Sequence, residues 1–575
     1  MAITYHAGRR IQGTQADFDG IPAISGGWKE LGRTTLLSSP SGSATFSDDF
    51  TGADNWSKSP SDSQFKVNTT TDRLEFLENA SAGGDRCWYD LGTGVSETKW
   101  VLRFKLRFTT IANQSDYPEI DIGISDNHAN SDTNQDFIGC RILPMSANNI
   151  FRPRKCIAEK PRRGAVASHN PSPAFTTGKD YFIEFQRKSA TDWSASLSNT
   201  NAFDGDIYSG SFTNASTSLN ALRYITVMDG TTATSGDMEG YIKDVEFWNN
   251  QSYGAEDKIS VSSLDDKRYY MVLGDYRSSS AINVNGRLGN SSIDPNTNYR
   301  ERQQTNGTGY SPLTTQSSAP QFGTLSGNAG FGVEYIANKS DKEKLGITNA
   351  VKQNTAGAGD TPERFQSAWK WSDKNNELDA IERRTSVNTY DGGSEVVVLG
   401  WDPDDTHTDN FWEELASENG TGATSFNSGT FTAKKYLWVQ IYVDRSADAS
   451  NGEITVGNTT LDSSGTDGND GKYSRRRSAD GGSDDELDNQ TKISLRTAGL
   501  KEFYNIFIIN NSGNNKLLII DQNAGGAAGA DHSPYRGEFV AKWANTSNQI
   551  NIIGFGSGGS NTLSSTSIIK VWGSN

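Results

Sequence analysis

Apolar and polar residues trade places at every second position in many short runs of this chain. Glu119-Ile120-Asp121-Ile122-Gly123-Ile124 and Tyr181-Phe182-Ile183-Glu184-Phe185-Gln186-Arg187 are two of them, and this period marks strands with one buried face. Lys267–Leu273 and Lys434–Gln440 carry the β-branched and aromatic residues of strands entering a core. Trp28–Leu36, Lys99–Phe108, Ser394–Trp401 and Ser567–Gly573 also read as strands. Gly, Asn and Asp turns separate these runs, as in a β-sandwich. Only Asp409–Ala416 and Glu363–Trp371 are open to a helical reading, and in the second a strand competes. The pattern predicts an all-β protein.

One stretch occurs twice. Displaced by 172 residues, 331–376 matches 503–548 at 15 of 46 positions without a gap. Asn338, Lys344, Leu345, Pro362, Arg364, Lys370 and Trp371 fall on Asn510, Lys516, Leu517, Pro534, Arg536, Lys542 and Trp543. A period of domain size means two copies of one folded module.

The offset is not constant, and that divides the chain. Trp28-Lys29-Glu30-Leu31 resembles Trp412-Glu413-Glu414-Leu415 at an offset of 384, whereas Lys267 matches Lys434 at 167. The first copy therefore holds 217 additional residues between two strands that stand close together in the second. Loops tolerate such insertions because closure entropy grows only logarithmically with length. The expected domains are an arm (1–27), a discontinuous first module (28–37 with 257–405), an insert (38–256) and a second module (406–575). All three domains are expected to be β-sandwiches, the modules as jelly rolls, whose Greek-key connections cover sheet edges.

Composition narrows the function. Only 34% of the residues are apolar, 10% are aromatic and 58 are glycine, which suits strands joined by long polar loops. The net charge of −16 disfavours nucleic acid and anionic membranes as partners. The one basic cluster, Arg475-Arg476-Arg477, is followed by Asp484-Asp485-Glu486 and reads as a solvated loop. Cys87, Cys140 and Cys156 have no metal spacing. Free buried thiols are expected, with a Cys87–Cys140 bridge as the alternative. No signal-like apolar run and no stretch long enough to span a membrane is visible. Together with an Asn/Ser/Thr/Gly-rich composition, this leads to the expectation of a protein released on a virus particle, with a cell-surface protein as the alternative.

The insert opens with Phe46-Ser47-Asp48-Asp49-Phe50 and Trp56 and closes with Gly240-Tyr241-Ile242-Lys243-Asp244-Val245-Glu246-Phe247-Trp248. This pair, about 200 residues apart, resembles the concanavalin A-like lectin/glucanase family of jelly rolls over roughly Phe46–Trp248. Laminarinase-type members carry Glu-x-Asp-x-Glu or Glu-x-Asp-x-x-Glu on one strand, for a two-carboxylate mechanism. Glu119 and Asp121 match the first two positions, but Gly123 and Ile124 stand where the last Glu is required. The missing acid leads to the expectation that the protein is not an enzyme. The family's loop calcium site would fall on Asp121, Asp126 and Asn127; no other cofactor is expected. Sugars stack on exposed rings, and Trp56, Trp88, Tyr89, Trp193 and Tyr208 are the candidates, core packing being the alternative for each.

Val398–His407 and Phe411–Ser417 are similar to segments of uncharacterised particle proteins from viruses of marine microbes. The function expected is a non-enzymatic virion surface protein. In it the tandem modules form an assembly platform, and the lectin-like insert binds cell-surface glycan or decorates the shell. The implied partners are other virion proteins and further copies of the chain, a trimer being the form expected of virus fibres and jelly-roll capsomers. The alternatives are a double jelly-roll major capsid protein, a surface-layer or appendage protein, and a glucanase-like enzyme.

Overall fold

The computed structural model describes residues 3–6, 9–12, 27–59, 64–78, 85–111, 120–128, 136–143, 150–157, 160–165, 174–203, 205–213, 221–229, 238–326, 329–403, 405, 407, 409–447, 451–480, 482, 484–495, 500–525 and 533–575. Every regular element among them is a β-strand. They form two compact units, Met1–Ser38 with Gly254–Asn575, and Ser39–Tyr253. Of the expected arm, two short strands are described, Ile3–His6 and Arg9–Gln12, paired antiparallel.

The larger unit contains two sandwiches of the same build. In the first, an eight-stranded sheet runs in the order Ser311–Gln316, Tyr299–Thr305, Glu363–Trp371, Lys344–Lys352, Gly330–Ala337, Tyr269–Tyr276, Glu395–Trp401, Lys29–Thr35. In the second the same places are taken by Asp485–Gln490, Tyr473–Ala479, Tyr535–Trp543, Lys516–Gly525, Lys501–Ile509, Tyr436–Asp444, Ile568–Ser574 and Glu413–Asn419. Each large sheet covers a five-stranded one, and the apolar residues between them form one core per sandwich. Both outermost strands, Lys29–Thr35 and Glu413–Asn419, carry a register shift at the same place, Glu30/Gly32 and Glu414/Ala416. Opposite them Gly400 and Gly573 have no room for a Cβ, which would stand 2.4 Å from a Leu31 methyl and 2.6 Å from a Leu415 methyl.

The repeated residues recur because they do the same structural work. Asn338 donates to Lys267 O and accepts from Leu378 N; Asn510 donates to Lys434 O and accepts from Ile550 N. Lys344 and Lys516 are fully buried and cap loop carbonyls, at Lys342 and Asn514 among others. Trp371 and Trp543 donate their indole N–H groups to Asp294 and Asp462 at 2.8 and 2.9 Å.

Two expectations are corrected here. Glu363–Trp371 and Glu413–Asn419 are strands, with no helix in either stretch. Phe365, Trp369 and Trp371 enter the core at period two, a spacing that also fits part of a helical pattern. Arg475-Arg476-Arg477 is not a solvated loop but the middle of the strand Tyr473–Ala479. Arg475 and Arg476 are buried, and Arg476 donates to Pro362 O of the first sandwich at 3.0 Å.

That contact belongs to a layer in which the two large sheets pack against each other. Met271, Leu273, Phe331, Val333, Val351, Val397 and Leu399 of the first sandwich share an apolar cluster with residues of the second. The latter are Phe411, Trp412, Tyr436, Phe507, Ile509, Leu517, Ile519 and Val540. Arg364 crosses this layer to Glu538 at 2.9 Å and Asp484 at 2.8 Å. Lys542 donates to Gln353 O and Thr355 O, and Lys435 pairs with Glu395 at 3.0 Å.

The chain leaves the first sandwich after Leu37 and returns at Gly254, whose N–H donates to Leu37 O at 2.8 Å. The unit Ser39–Tyr253 is a sandwich of its own, with a seven-stranded and an eight-stranded sheet around one core. Its opening and closing segments pair antiparallel, Phe46 against Phe247 and Asp48 against Val245. The Cys87 and Cys140 side chains are both buried in this core. Two strands separate theirs, a span of roughly 14 Å, too far for a disulfide. The Cys156 side chain lies outside the described residues.

Candidate functional site

The seven-stranded sheet of the inserted sandwich runs Lys160–Ala165, Ile150–Ile157, Phe137–Leu143, Ile120–Ser125, Tyr224–Asp229, Arg86–Asp90, Ser57–Ser59. Alternation sends Ile120, Ile122, Ile124, Ile138, Cys140, Ile142, Ile225, Val227 and Cys87 into the core. Directly opposed residues share a face, so the pairing register lays out the residues on the other side in rows. One row is Arg152, Arg141, Asp121, Met228, Arg86. The next is Arg154, Gly139, Gly123, Thr226, Trp88.

The middle of the second row is glycine, with the buried Phe137 ring lying against it, 2.6 Å from where a Cβ on Gly139 would stand. A Cβ on Gly123 would lie 2.2 Å from Ile138 O, and one on Gly139 2.2 Å from Ile122 O. Arg154, buried, stands at one end of this row and Trp88, half-buried, at the other. The Trp88 ring stacks on His128, with centroids 4.5 Å apart and planes at 11°, and His128 meets Tyr224 edge-on at 5.3 Å. The Arg86 guanidinium lies 5.6 Å from the Trp88 centroid, a cation–π contact that fixes both groups.

Four arginines and one carboxylate, Asp121, occupy the two rows. Asp121 is spent on Arg141 in a two-pronged ion pair at 2.9 and 2.8 Å, with both side chains buried. The buried Nε atoms of Arg86 and Arg152 donate to no group among the described residues. Burial lowers the Arg86 guanidinium from its ordinary value. At the rim Arg223 holds Asp90 through two bonds of 2.6 Å, which draws that carboxyl below the usual range. Within these rows the described charge is strongly positive, against the acidic balance of the whole chain.

The sequence-derived candidates separate clearly on this frame. Trp88 is half-buried on the side of the sheet away from the core. Trp56 and Trp193 are core residues: Trp56 donates to Asp48 at 2.8 Å, and Trp193 packs on Phe212 at 4.6 Å. Neither offers a free ring to a sugar. Tyr89 stacks on Phe46 at 3.9 Å and Tyr208 packs edge-on to Phe151 at 5.5 Å, both against the core. Asp121 is the partner of Arg141. Asp126 accepts from Asp136 N and from Asn127 at 2.9 Å each, and burial, then Asp136, raises its carboxyl. No group of three His, Cys, Asp or Glu side chains among the described residues is placed to hold a metal. Glu119 lies outside the described residues.

Arg86, Arg152, Arg154, His128 and Tyr224 were missed from sequence. Phe151-Arg152-Pro153-Arg154 does show arginine at every second position, the signal that could have found two of them. Its meaning depends on register, which sequence does not supply.

No protein-family model matches the chain, and no curated protein does. Several solved structures are similar. One is the CBM2 module of the Lactobacillus casei BL23 phage J-1 evolved Dit, at 10% identity and TM-score 0.28, covering 37% of this chain and 97% of that one. A second is a carbohydrate esterase from the Shiga toxin-encoding bacteriophage phi24B, at 14% identity and TM-score 0.25, covering 38% and 100%. A third is a non-specific endo-beta-1,3(4)-glucanase from family GH16, at 12% identity and TM-score 0.24, covering 39% and 97%. At similarities of this size the site has to be read from its own residues.

Proposed function

We propose that the inserted sandwich binds an acidic glycan along the outer face of its seven-stranded sheet. The two duplicated sandwiches are then the platform of a non-enzymatic structural protein on the surface of a virus particle. The observation that carries the glycan reading is the concentration of arginine on this face, where Arg86, Arg152 and Trp88 are half-buried and Arg154 and Arg141 lie beside them. Guanidinium groups pair with carboxylate or sulfate in a fork. Duplication, an insertion whose ends meet, and a polar, Asn/Ser/Thr/Gly-rich composition support the particle setting.

Binding of the full chain to polyuronate, sulfated and neutral glycans tests the first part. The acidic chains are expected to bind and to be released by salt, because screening weakens exposed charge contacts. Arg86→Ala and Arg152→Ala are each expected to weaken binding at least about tenfold. Preference for neutral glycans would overturn the ligand class, and binding to none would overturn the glycan reading. Product release from a bound glycan would overturn the non-enzymatic reading. Absence of the protein from purified particles would overturn the virion setting.

A further inference from the structure

We propose that an apolar face left open on the first sandwich is an interface for a second copy of this chain. The face lies on the outer side of the large sheet and forms a pocket of about 510 Å³. Trp28, Tyr269, Tyr335, Leu345, Ile347 and Trp401 line it. Leu345 and Ile347 are 55% and 59% exposed, far more than large aliphatic side chains at a sheet centre ordinarily are.

The duplication identifies what covers such a face. In the matching sheet order and register, Trp28, Tyr269, Tyr335, Leu345 and Ile347 correspond to Trp412, Tyr436, Phe507, Leu517 and Ile519. Those five residues are buried, and the surface on them is the other half of a large sheet of the same build, carrying Leu273, Phe331, Val333 and Val351. One chain thus contains the contact once, made by the second sandwich upon the first. The first sandwich still holds an unused copy of the docking face. That face is continuous with the existing interface, since Trp28 and Tyr335 also pack against its apolar cluster.

The complementary half on the second sandwich is open as well. Phe503 stands where the first sandwich has Phe331, and it is 42% exposed, with Tyr535 nearby in the same pocket at 41%. Gln440, Asn505 and Asn523 replace Leu273, Val333 and Val351. A partly polar surface of this kind fits a contact made and broken between separate chains, not a permanent core. Each chain carries one face of each sort, so a closed assembly of two or more copies satisfies both.

Sedimentation of the full chain over a wide concentration range tests this. The wild type is expected to associate. Leu345→Asp with Ile347→Asp removes one face and Phe503→Asp removes the other; all three positions are exposed, and thermal melting confirms folding. Each variant alone is expected to associate at least about tenfold more weakly, yet the two mixed are expected to form a heterodimer, because each keeps the face the other lacks. A wild type that stays monomeric overturns the proposal. So does association that survives either variant, or a mixture that forms no complex.

Discussion

The two sandwiches of the larger unit are the same object inside and different objects outside. Inward-facing repeat residues, Asn338 with Asn510, Lys344 with Lys516 and Trp371 with Trp543, keep both identity and hydrogen-bond role. Outward-facing ones keep identity and lose role. Leu517 is fully buried while Leu345 is exposed, and Lys542 crosses to the first sandwich while Lys370 pairs locally with Glu343. Arg364 is buried across the layer, whereas the side chain of Arg536 is 65% exposed. After duplication, a core residue is held by its own fold, whereas a face residue is held only by whatever comes to lie on it.

The sharpest way to break this comparison is at the arginines. Arg364→Ala leaves Glu538 and Asp484 buried without their partner and is expected to cost about 3–5 kcal/mol, whereas Arg536→Ala is expected to stay within about 0.5 kcal/mol. Equal losses in denaturant melts would mean the asymmetric interface is absent. Next come the leucines. Leu517→Ala is expected to cost about 2–5 kcal/mol through transfer and cavity terms, and Leu345→Ala within about 0.5 kcal/mol. A large loss at Leu345 in the dilute monomer would show that its face is already covered.

A smaller effect separates Glu301 from its counterpart Arg475, both buried at one position of the shared sheet. Burial pushes the Glu301 carboxyl up from 4.5 to about 7, although Gln321 N donates to it. A raised carboxyl favours the folded state in its protonated form, so its contribution is full below about pH 4.5 and is lost as pH rises through 7. Glu301→Gln keeps the group neutral. Its melting temperature is expected to match wild type in acid, to exceed it above pH 7, and to lose the slope between. A parallel slope in both proteins would assign the pH dependence to another group.

What the sequence made legible follows the same division. The repeat was readable because core contacts preserved Trp371/Trp543 and Lys344/Lys516, and the change of offset placed an insert at 38–256, where the structure has a compact unit over Ser39–Tyr253. The layer between the sandwiches was not readable. Its members include Arg476, within an arginine run whose charge looks like surface and whose period carries no apolar signal, so buried strand passed for loop. In the insert, Ile120-Asp121-Ile122-Gly123-Ile124 announced a strand, but not that Asp121 faces Arg141 and Gly123 faces Gly139. Those neighbours are set by register, which depends on the whole sheet. Trp88 was distinguishable from Trp193 only by which side of its strand each occupies.

The single hydrogen bond between Gly254 N and Leu37 O bears on replacement. A junction closed by one backbone hydrogen bond between its two sides imposes one requirement on what lies beyond it: that its two ends meet. Any domain with neighbouring termini could be spliced there without disturbing the strands on either side. The inserted sandwich could therefore be replaced by another fold with neighbouring ends while both duplicated sandwiches keep their cores.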